Sequence, residues 1–233
     1  MTPLLTATAV GLEGRLRPLD LALARGSMTA VIGPNGSGKT SLLRSLAGID
    51  RPSGSVRIGE ELLTRLPPGR RAALLGFLPA AREVIWPITV RDVVALGLVQ
   101  PDPGRIDDLL GLLELGGLGD RPADRLSTGE RARALLARAM APNPAVLLLD
   151  EPLSNLDPYW ALTILRLLRD SANAGAAVLM SLHDLSLLSE FDRVLMMDAG
   201  RVSADGSPQA VLDHPVFSAT FRVAPTHTGW RLA

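Results

Sequence analysis

An apolar run, Met28-Thr29-Ala30-Val31-Ile32, stops at the octet Gly33-Pro34-Asn35-Gly36-Ser37-Gly38-Lys39-Thr40, and a helix-patterned stretch follows from Ser41 to Ala47, ended by Gly48. The octet fits the pattern G-x-x-x-x-G-K-[ST], and a strand before it with a helix after it is the context that pattern requires. Its glycines let the backbone turn tightly enough for successive N–H groups to point at phosphate oxygens, and the helix start adds positive charge. Lys39 is the only lysine among 24 Lys and Arg residues, although the chain otherwise uses Arg throughout. A compact ammonium and a planar guanidinium are not interchangeable on a phosphate. A strand feeding such a loop belongs to an α/β fold.

The rest of the chain agrees. Leu74 to Leu78, Val146 to Leu149, Ala177 to Ser181 and Val194 to Met197 read as further short strands, with helices such as Pro158 to Ser171 between some of them. This alternation predicts an α/β core with a largely parallel sheet. From Pro87 to about Ala141 the texture changes: Val90 to Leu98 and Ile106 to Leu115 read as helices separated by the breaker Pro101-Asp102-Pro103-Gly104. The expected organisation is one domain, with residues 1–86 and 142–233 as the core and 87–141 as an inserted helical subdomain. Equal numbers of acidic and basic residues, 24 each, provide no net basic field, so no nucleic-acid partner is expected. The absence of cysteine excludes disulfides and thiolate metal sites and suits a reducing compartment. No apolar run reaches the roughly 18 residues of a membrane span, and the first residues lack the pattern of a secretory signal.

Ala145-Val146-Leu147-Leu148-Leu149-Asp150-Glu151 is an aliphatic strand ending in two carboxylates, as expected of a strand buried on both faces that meets a phosphate loop. Asp150 is placed to hold Mg²⁺ through water, and Glu151 to polarise an attacking water as general base. Thr40 supplies a hydroxyl to the same metal, Ser41 falling one position beyond the motif. Leu126-Ser127-Thr128-Gly129-Glu130 reads locally as a helix start, with Ser127 as N-cap and Glu130 as the reciprocal capping acid. It also resembles the signature of ABC ATPases, with Thr128 in place of a glycine and Glu130 in place of a glutamine. Ser154-Asn155-Leu156-Asp157 resembles the D-loop of that family, and Ser181-Leu182-His183-Asp184 its switch segment. The octet at 33–40 (the Walker A motif), signature, acidic strand, D-loop and switch follow one another in family order over residues 29–184.

The resemblance implies a P-loop NTPase core of ABC type that binds and hydrolyses ATP with Mg²⁺. It implies a two-subunit sandwich, homo- or heterodimeric, in which residues 126–130 face the nucleotide of the opposite subunit and residues 154–157 cross the interface. His183 would touch the γ-phosphate. Permease subunits in the membrane and an extracytoplasmic substrate-binding protein are the expected partners, with the chain peripheral at the cytoplasmic face of the inner (plasma) membrane. Two family features are missing. No aromatic precedes Gly33 to stack on adenine, which leaves Arg15 or Leu16 to cover the base. The glutamine expected after Phe77-Leu78-Pro79 is replaced by Ala80, with Arg82 and Glu83 nearby as substitutes. The segment Trp86 to Gly97 is similar to the opening of the helical subdomain in importers of iron–siderophore, haem and vitamin B12 type, and the Gly11 to Gly26 spacing is similar to the B12 type. A regulatory cassette that binds ATP without hydrolysing it, and a non-transport ATPase of the same family, share most of these motifs.

Overall fold

The computed structural model describes residues 3–81, 87–226 and 229–232. In chain order its first strands are β1 (Pro3–Leu12), β2 (Leu16–Ala24) and β3 (Met28–Ile32), followed by helix α1 (Lys39–Leu46). Next come β4 (Ser53–Ile58), β5 (Glu61–Leu62), α2 (Pro68–Leu74) and β6 (Leu75–Leu78). Helices α3 (Val90–Ala95), α4 (Pro103–Leu112) and α5 (Thr128–Met140) lead to β7 (Val146–Leu149), α6 (Pro158–Asn173) and β8 (Ala177–Ser181). The chain closes with β9 (Arg193–Asp198), β10 (Arg201–Gly206), α7 (Pro208–Leu212), α8 (Pro215–Phe221), β11 (Val223–Thr226) and β12 (Gly229–Leu232).

Six strands form the central sheet in the order β10-β9-β3-β8-β7-β6. All its pairs are parallel except β9 with β10. Every residue of β3, β7 and β8 is buried, because both faces of the sheet are covered. The two-residue period of a strand divides β7 between two cores. Val146 and Leu148 join Leu42, Leu43 and Leu46 of α1, while Leu147 and Leu149 join Ile164 and Leu168 of α6. The second core runs on without a break into α3, α4 and α5 through Val94, Leu110 and Leu136.

A second sheet, β2-β1-β4-β5, is antiparallel and packs its buried face on the α1 side of the central sheet. The sequence did not predict it. Register shifts interrupt β1 on both partners, and Ala9 takes a positive φ of 50°. Such bulges break the alternation by which a half-buried strand is read.

Several boundaries also move, each for a local reason. Helix α1 starts at Lys39 rather than Ser41, because Gly38 in the left-handed region ends the loop there. Leu74 closes α2 instead of opening β6, since Pro68 at the first helical turn starts a helix that runs to it. The expected breaker at 101–104 begins a helix: Asp102 caps α4 by accepting the Arg105 N–H at 2.9 Å, and Pro103 is its first residue. That helix ends at Leu112 and α3 at Ala95, both earlier than predicted.

Helix α5 packs closely at its C-terminal end. A Cβ added at Gly76 would overlap the carbonyl of Ala139, and one added at Gly97 would overlap that of Arg138. Arg105 donates to the carbonyls of Met140 at 3.1 Å and Ala141 at 3.3 Å. Midway along the same helix, the Arg133 guanidinium lies 3.8 Å above the Trp160 ring, joining α5 to α6. Among the described residues no helix is long and apolar enough to cross a membrane.

Candidate active site

The phosphate loop leaves the C-terminal end of β3 beside the ends of β7 and β8, where ligands collect in parallel sheets. Gly38 (φ +103°) is the N-cap of α1, and a Cβ there would press on the Arg15 carbonyl at 3.2 Å and the Gly200 Cα at 3.3 Å. At Gly33 a Cβ would overlap the carbonyl of Met197 in β9. Neither position accepts a side chain, so two glycines of the motif are fixed by packing as well as by the turn. Lys39 is 7% exposed, and its Nζ donates to the carbonyls of Gly33 at 2.8 Å and Pro34 at 3.2 Å. Burial pushes its ammonium pKa down, against the opposing pull of the Glu151 and Asp150 charges.

A cavity of about 930 Å³ opens over this loop. Asn35, Gly36, Ser37, Gly38, Lys39, Thr40 and Ser41 form one wall, residues 12–18 of the β1–β2 turn form another, and Glu151 reaches in between. Gly33 and Pro34 lie behind the wall, where they hold Lys39. Of the two residues expected to cover a base, Leu16 is 4% exposed and packed in the core beneath. Arg15 is exposed at the cavity rim.

Asp150 and Glu151 follow β7 directly. Asp150 is 1% exposed; its Oδ1 accepts the Ser181 hydroxyl at 2.7 Å, and its buried Oδ2 has no partner among the described residues. That buried carboxylate oxygen, with the exposed Thr40 at the cavity wall, suits a hard cation such as Mg²⁺, which binds few protein oxygens and keeps several waters. Glu151 holds a positive φ of 51°. Its Oε1 lies 2.6 Å from Nε2 of His183, and its Oε2 accepts the Ser154 hydroxyl at 3.1 Å. Burial raises the Glu151 pKa, but the hydrogen bond and charge of His183, the Ser154 hydroxyl and Lys39 together hold it below its usual value. The carboxylate is therefore ionised at neutral pH.

His183 lines a neighbouring cavity of about 430 Å³ with Glu151, Ser154 and Leu156. The chain thus brings the phosphate loop, both acids, the histidine and the first D-loop residue together. Asn155 of that loop has a φ of +62°, and Asp157 caps α6 by accepting the Trp160 N–H at 2.9 Å.

The signature residues stand apart from both cavities. Ser127 and Glu130 form the predicted capping box: the Ser127 N–H donates to Glu130 at 2.8 Å, and the Glu130 N–H to the Ser127 hydroxyl at 3.3 Å. Leu126 is buried, Ser127 and Thr128 are exposed, and a Cβ at Gly129 would sit 3.6 Å from Leu156 of the D-loop. Ala80 is exposed just beyond the end of β6, and its methyl group offers no polar atom. Arg82, Glu83 and Trp86 lie outside the described residues. Sequence reasoning missed Ser181 as part of the site. The available signal is a polar residue closing the apolar strand Ala177 to Met180.

The ABC transporter family profile matches residues 16–154. The chain is 40% identical to the hemin import ATP-binding protein HmuV of Rhizobium meliloti, over 94% of this chain and 93% of that one. It is 39% identical to the HmuV of Nocardia farcinica, over 89% and 75%. Among solved structures, an ATP-binding subunit of an ABC transporter superposes with a TM-score of 0.81 at 23% identity, covering 89% of this chain and 91% of the other. A bacterial Atm1-family exporter with ATP bound superposes with a TM-score of 0.82 at 26% identity, over 94% of this chain and 41% of the exporter. The chain belongs to the ABC transporter family, as an ATP-binding subunit that hydrolyses ATP to drive transport.

Proposed function

We propose that this chain powers a haem importer. The observation that carries the reading is the 40% identity to a hemin import ATP-binding protein over nearly the full length of both chains. Residues 87–141 act as the signature subdomain and the remainder as the nucleotide-binding core. Two copies, or one copy and a sister cassette, enclose ATP between the phosphate loop of one and Ser127–Gly129 of the other. The exposure of Ser127, set away from this chain's own cavity, supports that contribution from a partner. The pair works beneath permease subunits, with an extracytoplasmic binding protein delivering substrate.

In hydrolysis, residues 33–40 cradle the phosphates through backbone N–H groups, and Lys39 moves from the loop carbonyls to the β- and γ-phosphate oxygens. Thr40, and Asp150 through water, would hold Mg²⁺, which would supply positive charge against the phosphates when bound. Glu151, kept ionised by its neighbours, accepts a proton from the water that attacks the γ-phosphorus, and the bond to the β-phosphate oxygen breaks. His183 steadies the carboxylate before the attack and the γ-phosphate during it. Arg15 lays its guanidinium on the base in place of an aromatic ring.

The test is reconstitution of the chain with its permease in vesicles, with haem, a ferric siderophore and cobalamin offered through the binding protein. ATP-dependent uptake of haem alone is expected. Uptake of another chelate without haem overturns the substrate, and ATP hydrolysis that moves none of them overturns the importer reading.

A further inference from the structure

We propose that Ser181 is a positioning residue of the hydrolytic site, one hydroxyl that fixes the metal-side acid Asp150 and the catalytic acid Glu151 relative to each other. The inference rests on the roles proposed above for those two acids.

The placement follows from sheet register. Strands β7 and β8 run parallel with Leu149 opposite Met180, so the next positions, Asp150 and Ser181, emerge side by side at the sheet's C-terminal edge. Ser181 is 1% exposed, as is Asp150, so water does not compete for their polar atoms. The serine oxygen accepts the backbone N–H of Glu151 at 2.7 Å. That N–H can only donate, so the hydroxyl keeps its own proton for its second partner, Asp150 Oδ1, at 2.7 Å.

Each bond sets a different acid. Holding Oδ1 fixes the carboxylate plane of Asp150 and leaves the buried Oδ2 as the oxygen available to a metal-bound water. Holding the Glu151 N–H maintains a backbone conformation, φ +51°, that side-chain-bearing residues rarely adopt. That turn aims the Glu151 carboxylate at the cavity and at His183. Alanine at 181 would remove an acceptor from the part-buried Glu151 N–H and a donor from the buried Asp150 Oδ1. Neighbouring residues on β8, such as Leu179 and Met180, are apolar and play no such part.

The test uses Ser181→Ala, Ser181→Cys and Ser181→Thr in the full chain, with Glu151→Gln in parallel. Cysteine keeps the size of serine but loses the strong donor, and threonine keeps the hydroxyl. Expected are a fall in kcat of about tenfold or more for Ala and Cys, as befits a lost hydrogen bond to a charged group, with recovery in Thr. A second readout is nucleotide affinity by fluorescence titration. The gain in ATP affinity on adding Mg²⁺ should shrink in Ala and Cys, while affinity in a chelator stays as in the parent. A lowered melting temperature with kcat and Mg²⁺ response unchanged overturns the proposal and leaves Ser181 a satisfied core residue. Normal turnover in Glu151→Gln would instead overturn the assignment of the base, and this inference with it.

Discussion

Nε2 of His183 lies 2.6 Å from Oε1 of Glu151, although 31 residues separate them in the chain between β7 and the end of β8. With Ser154 on the other carboxylate oxygen, the acid is held at both atoms by residues that line the neighbouring cavity. A group gripped this way is oriented before water arrives, which lowers the cost of proton transfer from a bound nucleophile.

Glu151→Gln keeps the shape but turns one of the two accepting oxygens into an amide donor, and it cannot accept a proton. Hydrolysis should slow on the order of a hundredfold or more, with ATP affinity unchanged. Uncleaved ATP should then hold two subunits together, seen as an ATP-dependent dimer by size exclusion. Normal turnover would remove Glu151 from the role of base.

Lys39→Ala removes the chain's only lysine, whose ammonium is buried against the loop carbonyls it would leave for phosphate. ATP affinity should fall by about tenfold to a hundredfold, the size of a lost charge-assisted contact. Unfolding curves without nucleotide should show whether the loop itself survives, and unchanged affinity would refute the phosphate contact.

At the start of α5, Glu130 is held below its usual pKa, first by the Ser127 backbone N–H and then by the Ser127 hydroxyl. A depressed carboxylate pKa contributes stability that is present above the ordinary glutamate range and lost as pH falls through the folded value. Glu130→Gln removes that titration. Between about pH 6 and pH 3, the variant's unfolding free energy should therefore drop less than the parent's, by roughly half a kcal/mol for a partly exposed cap. Parallel chemical-denaturation series check the sign.

Ala80→Gln restores a polar side chain at the end of β6, beside the strand that carries Asp150. If a glutamine there orients the attacking water, kcat should rise about tenfold, equivalent to about 1.4 kcal/mol of barrier, with little change in ATP affinity. The measurement belongs in the complex with the permease, and an unchanged kcat would assign the role to another residue.

The phosphate loop was legible because its requirements are local. A tight turn at Gly38, close backbone approach at Gly33 and a lysine at Lys39 leave one reading of the octet. The capping box at Ser127 and Glu130 was legible for the same reason, a three-residue spacing within one helical turn. The grip on Glu151 was not. It depends on β8 lying next to β7 in the sheet, and strand order is a matter of packing between distant segments. The same order hid Ser181, whose partners sit 30 and 31 residues away. The antiparallel sheet escaped because bulges at Ala9 and beyond break the alternation along β1. The burial of Leu16 beside the exposed Arg15 is likewise something a turn sequence does not disclose.

Gly76, Gly97 and Arg105 close on the last turn of α5, whereas Ser127 stands exposed at the other end of the same helix. Thirteen residues at 1.5 Å each make a rod of about 20 Å, and the closely packed carbonyls of Arg138 and Ala139 lie about 17 Å along it from Ser127. A tilt of about 5° there would sweep Ser127 through roughly 1.5 Å, about half the length of a hydrogen bond. A methyl group at either glycine would push on the last turn of α5, and the displacement would be largest at the exposed serine at the opposite end of the rod.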